Sequence, residues 1–150
     1  MSEEYEIREL DTGDADIDAV YPVIHQLREH LERDTFADRY RSIYEGANYR
    51  IVVVQVDDEV RGAAGFRFIE NLYAGSTLYI DDLVTADAWR SKGYGGVLVK
   101  YLEQIAIDIG ANAIRLDSAI HRTDAHRFYE REGFKFTSKH YMRALRELDA

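Results

Sequence analysis

Cysteine is missing from this chain of 150 residues, and proline occurs once. The absence of cysteine excludes disulfides, thiolate nucleophiles and cysteine-ligated metal sites, and it agrees with a reducing compartment, so we expect a cytoplasmic protein. The five histidines lack the H-x-x-x-H spacing of a helical metal site, and no metal is predicted. No apolar run approaches the roughly 20 residues that span a bilayer, so a membrane is not an expected partner.

A net positive charge is also missing, because 28 acidic side chains outnumber 19 basic ones and give a formal charge of −9. An acidic chain repels the phosphate backbone of nucleic acids, so nucleic acid is not an expected partner either. The length is typical of one domain, and 46% of the residues are hydrophobic. The composition therefore predicts a single compact domain over residues 1–150.

Hydrophobic periodicity predicts eleven elements in the order β-α-α-β-β-β-α-β-α-β-β. The predicted strands are residues 4–10, 49–56, 60–72, 75–85, 113–116, 134–136 and 139–145. The predicted helices cover residues 17–31, 34–44, 97–109 and 123–132. This order predicts an α/β (α+β) domain, in which a mixed and mostly antiparallel sheet of about seven strands carries helices on both faces.

A glycine-rich basic turn follows the fourth predicted strand and leads into the third predicted helix. It consists of Arg90, Ser91, Lys92, Gly93, Tyr94, Gly95 and Gly96. Glycines let the backbone approach a ligand closely, and the N–H groups and dipole of a helix N-terminus favour an anion. The spacing fits neither G-x-x-x-x-G-K-[ST] nor G-x-G-x-x-G. The turn predicts a phosphate or pyrophosphate site, and a tight turn of purely structural function is the alternative.

A second motif lies about thirty residues further on, where residues 125–134 read Ala-His-Arg-Phe-Tyr-Glu-Arg-Glu-Gly-Phe. The R-x-x-G-x-G pattern of the turn and the A-x-x-F-Y-x-x-x-G-F pattern of this run together resemble the GNAT superfamily of acyl-CoA-dependent N-acyltransferases. The predicted element order is similar to that fold, so the resemblance covers nearly the whole chain. Within the superfamily, the chain most resembles the aminoalkylphosphonate N-acetyltransferases. One departure is Arg122, where many members carry an Asn that binds the pantetheine arm.

The resemblance implies an enzyme that transfers an acetyl group from acetyl-CoA to a primary amine of a small molecule, by direct attack in a ternary complex. It implies that backbone N–H groups of the glycine-rich turn hold the CoA pyrophosphate, with added charge from Arg90 and Lys92. It also implies that backbone groups of Leu83, Val84 and Thr85 pair with the pantetheine arm and steady the acetyl oxygen.

The resemblance further implies that Tyr129 is the general acid that protonates the departing CoA thiolate. A phenol with an ordinary pKa near 10 keeps its proton at neutral pH and is able to donate it. The alternative is a core tyrosine, because Ala125 and Tyr129 lie four residues apart on one helical face beside Phe128.

Asp81 and Asp82 are the candidate catalytic carboxylates. Neighbours on a regular strand point to opposite faces, so the two cannot form a close dyad unless a bulge intervenes. The resemblance favours Asp82 as the base, directly or through water, and an ordinary aspartate is equally suited to hold the ammonium group of the acceptor. We therefore expect Asp81 on the opposite face of the strand from Asp82. Asp117, on the next strand, is the reserve candidate for the base.

The acceptor is left open by the sequence. Asp81 and Asp82 would suit a polyamine, whereas Arg33 and Arg67 would suit an amine that bears a phosphonate or phosphate. The segment around His30 lines the acceptor site in the resembled family. A protein N-terminus or lysine is another acceptor, and a non-catalytic acyl-CoA-binding domain is the alternative of a different class. A second copy of the chain, in a homodimer, is a possible partner.

Overall fold

The computed structural model describes residues 4–148, and its strands form one five-stranded sheet. The strands lie side by side in chain order. Strands β1 to β4 pair antiparallel, and β5 is parallel to β4. Their bounds, from β1 to β5, are Glu6–Glu9, Arg50–Val56, Glu59–Asn71, Gly75–Thr85 and Ala113–Leu116.

The described part of the chain also forms four helices, and a 3₁₀ turn at Asp87–Trp89 links β4 to the third of them. None of the helices in residues 4–148 is long and apolar enough to cross a membrane. The bounds of α1 to α4 are Asp14–Leu27, Arg33–Gly46, Tyr94–Asp108 and Thr123–Arg131.

Two apolar layers hold the helices against the sheet. Strand β2 shows both, because Ile51 and Val53 pack in the layer of α1 and α2, whereas Val52 and Val54 pack in the layer of α3. All four side chains are at most 1% exposed. A strand covered on both faces reads as a continuous apolar run, and this explains the sequence Ile-Val-Val-Val. The layers fix α1, α2 and α3 relative to the sheet, and so relative to the end of β4.

The sheet has five strands, so the predicted number of about seven is wrong. The two missing strands are the predicted residues 134–136 and 139–145, which are not paired in the sheet. The N–H of Phe134 donates to the carbonyl of Tyr129 at 3.0 Å and closes the end of α4. Strand β5, at the edge of the sheet, has only four residues, so it offers a further strand few pairing positions. Residues 135–148 are exposed. Apolar residues of the predicted strands, such as Phe136 at 80% exposure, therefore lie on the surface.

Helix α3 begins at Tyr94, three residues before the predicted start at Val97. Gly93 is its N-cap and has φ of +89°, a left-handed conformation that favours glycine. The last four residues of the glycine-rich turn are thus the N-cap and the first helical residues. The turn and the helix N-terminus are one structure, which places free N–H groups directly in the turn.

Candidate active site

Three segments that the sequence singled out meet at Gly95. A Cβ placed on Gly95 would lie 3.2 Å from the Phe128 ring of α4 and 3.7 Å from Oγ1 of Thr85 at the end of β4. The absence of a side chain at Gly95 therefore lets the first turn of α3 pack against both neighbours. The turn, the end of β4 and the helix that carries Tyr129 form one cluster.

The glycine-rich turn presents backbone rather than side chains at the start of α3. No side chain among the described residues caps the helix, and a Cβ on Gly93 would meet no atom within 4 Å. The Tyr94 ring turns inward, is 3% exposed and accepts a 2.8 Å hydrogen bond from Arg61 Nη1 at its hydroxyl. Arg90 is exposed and pairs with Asp87 at 2.8 Å. Open N–H groups at a helix N-terminus beside exposed basic residues fit a pyrophosphate.

A small polar cavity lies beside this cluster, with a volume of about 30 Å³. A cavity needs about 10 to 15 Å³ to hold one water molecule, so there is room here for a small reacting group. Its polar lining consists of Arg28, Asp81, Asp82, Asp117, Arg122 and Tyr129, and its apolar lining of Leu27, Ile80, Leu83 and Leu116. The candidate acid, all three candidate carboxylates and the end of β4 thus share one cavity.

Tyr129 is partly buried, with its ring 5.4 Å from that of Phe128 and 5.8 Å from that of Phe134. Burial raises its pKa above 10, and the positive charges of Arg122 and Arg28 oppose that rise. The phenol is therefore protonated at neutral pH, as a proton donor must be. Arg122, which stands where the resembled family often has Asn, lies in the cavity next to it.

A β-bulge overturns the expectation that Asp81 and Asp82 face opposite sides of the sheet. Ile80 and Asp82 have consecutive partners on β3, and Asp81 has none. Before the bulge, Leu78 and Ile80 pack in the layer of α3; after it, Val84 packs in the layer of α1 and α2. On a regular strand these three even-numbered residues would share a face. The extra residue therefore turns both carboxylates toward the layer of α1 and α2.

Both carboxylate oxygens of Asp82 accept strong hydrogen bonds. Arg28 Nε donates to Oδ1 at 2.8 Å, and the Tyr49 hydroxyl donates to Oδ2 at 2.6 Å. Arg28 Nη2 also donates to the Asp81 carbonyl at 3.0 Å. Burial, followed by the negative charge of Asp82, holds the pKa of Tyr49 well above its usual value, so this phenol stays a donor. The network leaves Asp82 with its charge compensated and its position fixed.

Asp81 forms a bidentate ion pair with Arg67, at 2.8 Å from Nε and 2.7 Å from Nη2. Arg33 lies elsewhere, on the surface between α1 and α2, where Nη2 is 2.6 Å from Asp18. The two arginines that the sequence offered for a phosphonate are therefore engaged by carboxylates, and neither lines the cavity beside Tyr129.

Asp117, the reserve carboxylate, is held by two neighbours. The Tyr79 hydroxyl donates to its Oδ2 at 2.6 Å, and His140 Nδ1 lies 3.2 Å from the same oxygen. Burial, followed by the hydrogen bond to Asp117, raises the pKa of Tyr79 and keeps that phenol protonated. Asp117 therefore borders the polar cavity with one oxygen already bound.

A larger cavity of about 270 Å³ opens beneath the connection between α1 and α2. It shares Arg28 and Asp82 with the polar cavity, so these two residues form the junction. His30 lines it, as the resemblance implied for its segment. The other lining residues are Ile24, Leu31, Phe36, Arg39, Tyr40, Ile43 and Tyr49.

Sequence reasoning missed Arg28 and Tyr49. They lie 54 and 33 positions away from Asp82 in the chain and meet it only in the fold. Neither belongs to a local motif, because Arg28 directly follows α1 and Tyr49 directly precedes β2. An arginine at the end of an amphipathic helix was the only available signal, and it is too common to indicate a site.

Comparisons with known proteins agree with this geometry. The family described as acetyltransferase (GNAT) matches residues 15–134. An uncharacterized N-acetyltransferase, YhdJ of Bacillus subtilis, is 33% identical over 119 residues, which cover 79% of this chain and 84% of the relative. The aminoalkylphosphonate N-acetyltransferase of Salmonella typhimurium is 30% identical over 142 residues, which cover 93% of this chain and 91% of the relative.

A solved structure supports the fold. The aminoglycoside N-acetyltransferase AAC(6')-Iy, in complex with CoA, superposes with a TM-score of 0.84 over 97% of each chain at 13% identity. The family match and the two curated relatives confirm the resemblance that the two motifs indicated. The chain therefore belongs to the GNAT acetyltransferase family, and it is an acyltransferase.

Proposed function

We propose that this acyltransferase moves an acetyl group from acetyl-CoA to the primary amine of a small molecule, by direct attack in a ternary complex in the cytoplasm. The observation that carries the proposal is the meeting of the α3 N-terminus, the end of β4 and α4 around Gly95. The Salmonella relative, named for aminoalkylphosphonates, supports a small acceptor.

The glycine-rich turn is the proposed pyrophosphate site, formed by the N–H groups of Gly93 to Gly96 and the charges of Arg90 and Lys92. The backbone of Leu83, Val84 and Thr85 is the proposed partner of the pantetheine arm. The side chain of Val84 is buried in the layer of α1 and α2, and that of Leu83 packs partly against the layer of α3, so both hold the backbone in place.

Tyr129 and Asp82 are the proposed catalytic residues. Tyr129 gives its proton to the departing thiolate. An amine with an ordinary pKa of about 10.4 requires about 4.6 kcal/mol to deprotonate at pH 7, so the acceptor arrives as an ammonium ion and releases one proton to solvent water before its nitrogen attacks the acetyl carbonyl. Asp82 lies in the same cavity and has both oxygens occupied, which supports a role in holding the ammonium group more than one as a free base.

A polyamine or a protein is a less supported acceptor. Both members of the acidic pair are neutralised by arginines, Asp82 by Arg28 and Asp81 by Arg67, so the pair offers little net charge to a polycation. A cavity of about 270 Å³ suits a compact molecule more than a protein segment.

A screen of primary amines tests the proposed function directly. Thiol release from acetyl-CoA is measured with each amine, and calorimetric titration measures the binding of CoA. Turnover with at least one small amine is the expected result. Tight CoA binding without turnover of any amine would favour a non-catalytic acyl-CoA-binding domain.

Gly93→Val should remove most of the stabilisation that acetyl-CoA gives to the wild type. One ligand at a hundredfold excess over its Kd stabilises a fold by about 2.7 kcal/mol, and a branched side chain at Gly93 would occupy the space that the phosphates need. The measurement is the thermal shift with and without acetyl-CoA.

Gly110→Val is the matched control for that thermal shift. Gly110 lies at the other end of α3 with φ of +78°, and a Cβ there also meets no atom within 4 Å. Both variants therefore carry a similar backbone strain, and only the first approaches the proposed ligand. An equal ligand shift in the two variants would place the pyrophosphate elsewhere.

Asp82→Asn should raise the KM for the amine by roughly tenfold with a smaller effect on kcat, because an ammonium group loses its charged partner. Asp81→Asn should also reduce activity, since the bulge places Asp81 on the same face as Asp82 and the substitution removes the charge that pairs with Arg67. Steady-state kinetics with the best amine measures both effects. Asp18→Asn, on the exposed face of α1, is the control. A fall in kcat at constant KM for Asp82→Asn would instead identify a general base.

A further inference from the structure

Arg28 lies at the junction of the two cavities with part of its guanidinium still available. Its Nε and Nη2 donate to Asp82 and to the Asp81 carbonyl, and its Nη1 makes no hydrogen bond to any group within residues 4–148. The side chain is 41% exposed, in contact with both cavities. Two fixed contacts hold the planar group in one orientation, which is the arrangement suited to binding a carboxylate or phosphonate.

The larger cavity is lined by the basic side chains of Arg28 and His30 and by the carboxylate of Asp82. That carboxylate is compensated by Arg28 and by the Tyr49 hydroxyl. A molecule that brings a negative group into the cavity is therefore favoured, and one with several positive groups is disfavoured.

The rest of the larger cavity is apolar and small. Phe36 and Tyr40 stack with ring centroids 5.7 Å apart, and both are at most 5% exposed. Ile24 and Leu31 complete a buried wall beside them. The volume of about 270 Å³ lies just below the usual range for ligand sites, roughly 300 to 1,000 Å³, so the occupant is compact.

The position of the reaction adds a constraint on the occupant. Its nitrogen has to reach the polar cavity that contains Tyr129, and this cavity meets the larger one at Arg28 and Asp82. Since Arg28 and Asp82 are in direct contact at 2.8 Å, groups that bind to the two lie close together in the ligand. An acidic group and an amine separated by one or two carbon atoms meet that requirement.

We propose that the acceptor is an amino-acid-like zwitterion with an apolar side chain. Its acidic group, carboxylate or phosphonate, binds Arg28, its amine lies at Asp82 and Tyr129, and its side chain fills the cavity beneath α1 and α2. This inference rests on the proposed acetyl transfer and defines the acceptor class of the same site.

Matched amines test the inference. Leucine and phenylalanine are compared with isopentylamine and 2-phenylethylamine, which lack the acidic group, and with the corresponding aminophosphonates. A charge-assisted hydrogen bond typically separates such pairs by about 10- to 100-fold in kcat/KM, in favour of the acidic compounds. The ratio of kcat/KM for each amino acid to kcat/KM for the corresponding aminophosphonate shows which acidic group the site prefers.

Arg28→Gln should reduce the preference for acidic amines to within about twofold, whereas a merely structural role would lower kcat/KM for all amines equally. Arg28→Lys, which keeps the charge, should retain part of the preference. Arg41→Gln is the matched control, because Arg41 is 42% exposed and pairs with Asp14 away from both cavities. The thermal shift with acetyl-CoA confirms that each variant is folded.

Three outcomes would overturn the inference. A wild-type enzyme that acetylates neutral amines as well as their acidic counterparts contradicts it and leaves the proposed function intact, and this result needs no variant. An acidic preference that survives in Arg28→Gln contradicts the assignment of Arg28. A wild type that turns over no amine contradicts the proposed function itself, and the acceptor class with it.

Discussion

Tyr129→Phe should lower kcat by about 100-fold while the affinity for acetyl-CoA stays nearly unchanged, since one general acid typically contributes that much. The substitution keeps the ring contacts with Phe128 and Phe134 and removes only the hydroxyl. Burial holds the pKa of Tyr129 above 10, so the wild-type phenol is protonated throughout the neutral range, and deprotonation should reduce activity only in strongly alkaline solution. Thiol release at saturating substrates measures kcat.

Tyr101→Phe provides the comparison for Tyr129→Phe. Tyr101 lies on α3, packs partly into the apolar layer of that helix and does not line the polar cavity. We expect this variant to keep wild-type kcat. If Tyr129→Phe also keeps full kcat under conditions where the chemical step limits turnover, Tyr129 is a packing residue and the proton comes from another group.

Gly65→Ala should lower the free energy of unfolding by about 1 to 3 kcal/mol, the usual cost of overpacking, and should impair amine binding as well. A Cβ on Gly65 would lie 1.7 Å from the Tyr49 hydroxyl oxygen and 2.4 Å from its Cζ. The Tyr49 ring is 5% exposed and packs edge-on against Tyr40 at 6.1 Å, so it has little room to move. A movement large enough to clear the new Cβ breaks its 2.6 Å hydrogen bond to Asp82. Chemical denaturation measures the loss.

Two further variants isolate the cause of that loss. Gly46→Ala, at the end of α2 with no atom within 4 Å of the new Cβ, should be close to neutral. In a Tyr49→Leu background, Gly65→Ala should cost much less, because the clashing ring is gone; a double-mutant cycle measures that coupling. If the losses of unfolding free energy from Gly65→Ala and Tyr49→Leu simply add, the Tyr49 ring is not the cause of the loss in Gly65→Ala.

Local patterns were sufficient for the parts of the site that are continuous in sequence. The turn around Gly93, the end of β4 and Tyr129 each lie within one short segment whose residue types report their conformation directly. Their approach at Gly95 then followed from the fold that the two motifs implied. The bounds of β4 and β5 were also confirmed, since both have turn residues at their ends.

Contacts between distant segments could not be read from the chain. Arg28, Tyr49 and Asp82 come from three separate regions, and only packing brings them within hydrogen-bond distance. The bulge at Asp81 has no residue signal, because a bulge depends on the register with the neighbouring strand. Residues 134–145 alternate like strands, but strand formation needs a partner edge, and the pattern alone does not show whether one is free.

The unpaired residue in β4 also decides which layer the end of this strand faces. If residues 80–85 paired regularly with β3 at the same length, every side chain after Asp81 would turn to the opposite layer. Val84 would then face α3, and Asp82 would leave Tyr49. A substitution changes one side chain, whereas loss of the bulge at constant length would invert the whole end of the strand. Single-residue insertions among relatives should therefore fall in loops, such as the turn at Asp57 and Asp58, and spare residues 80–85.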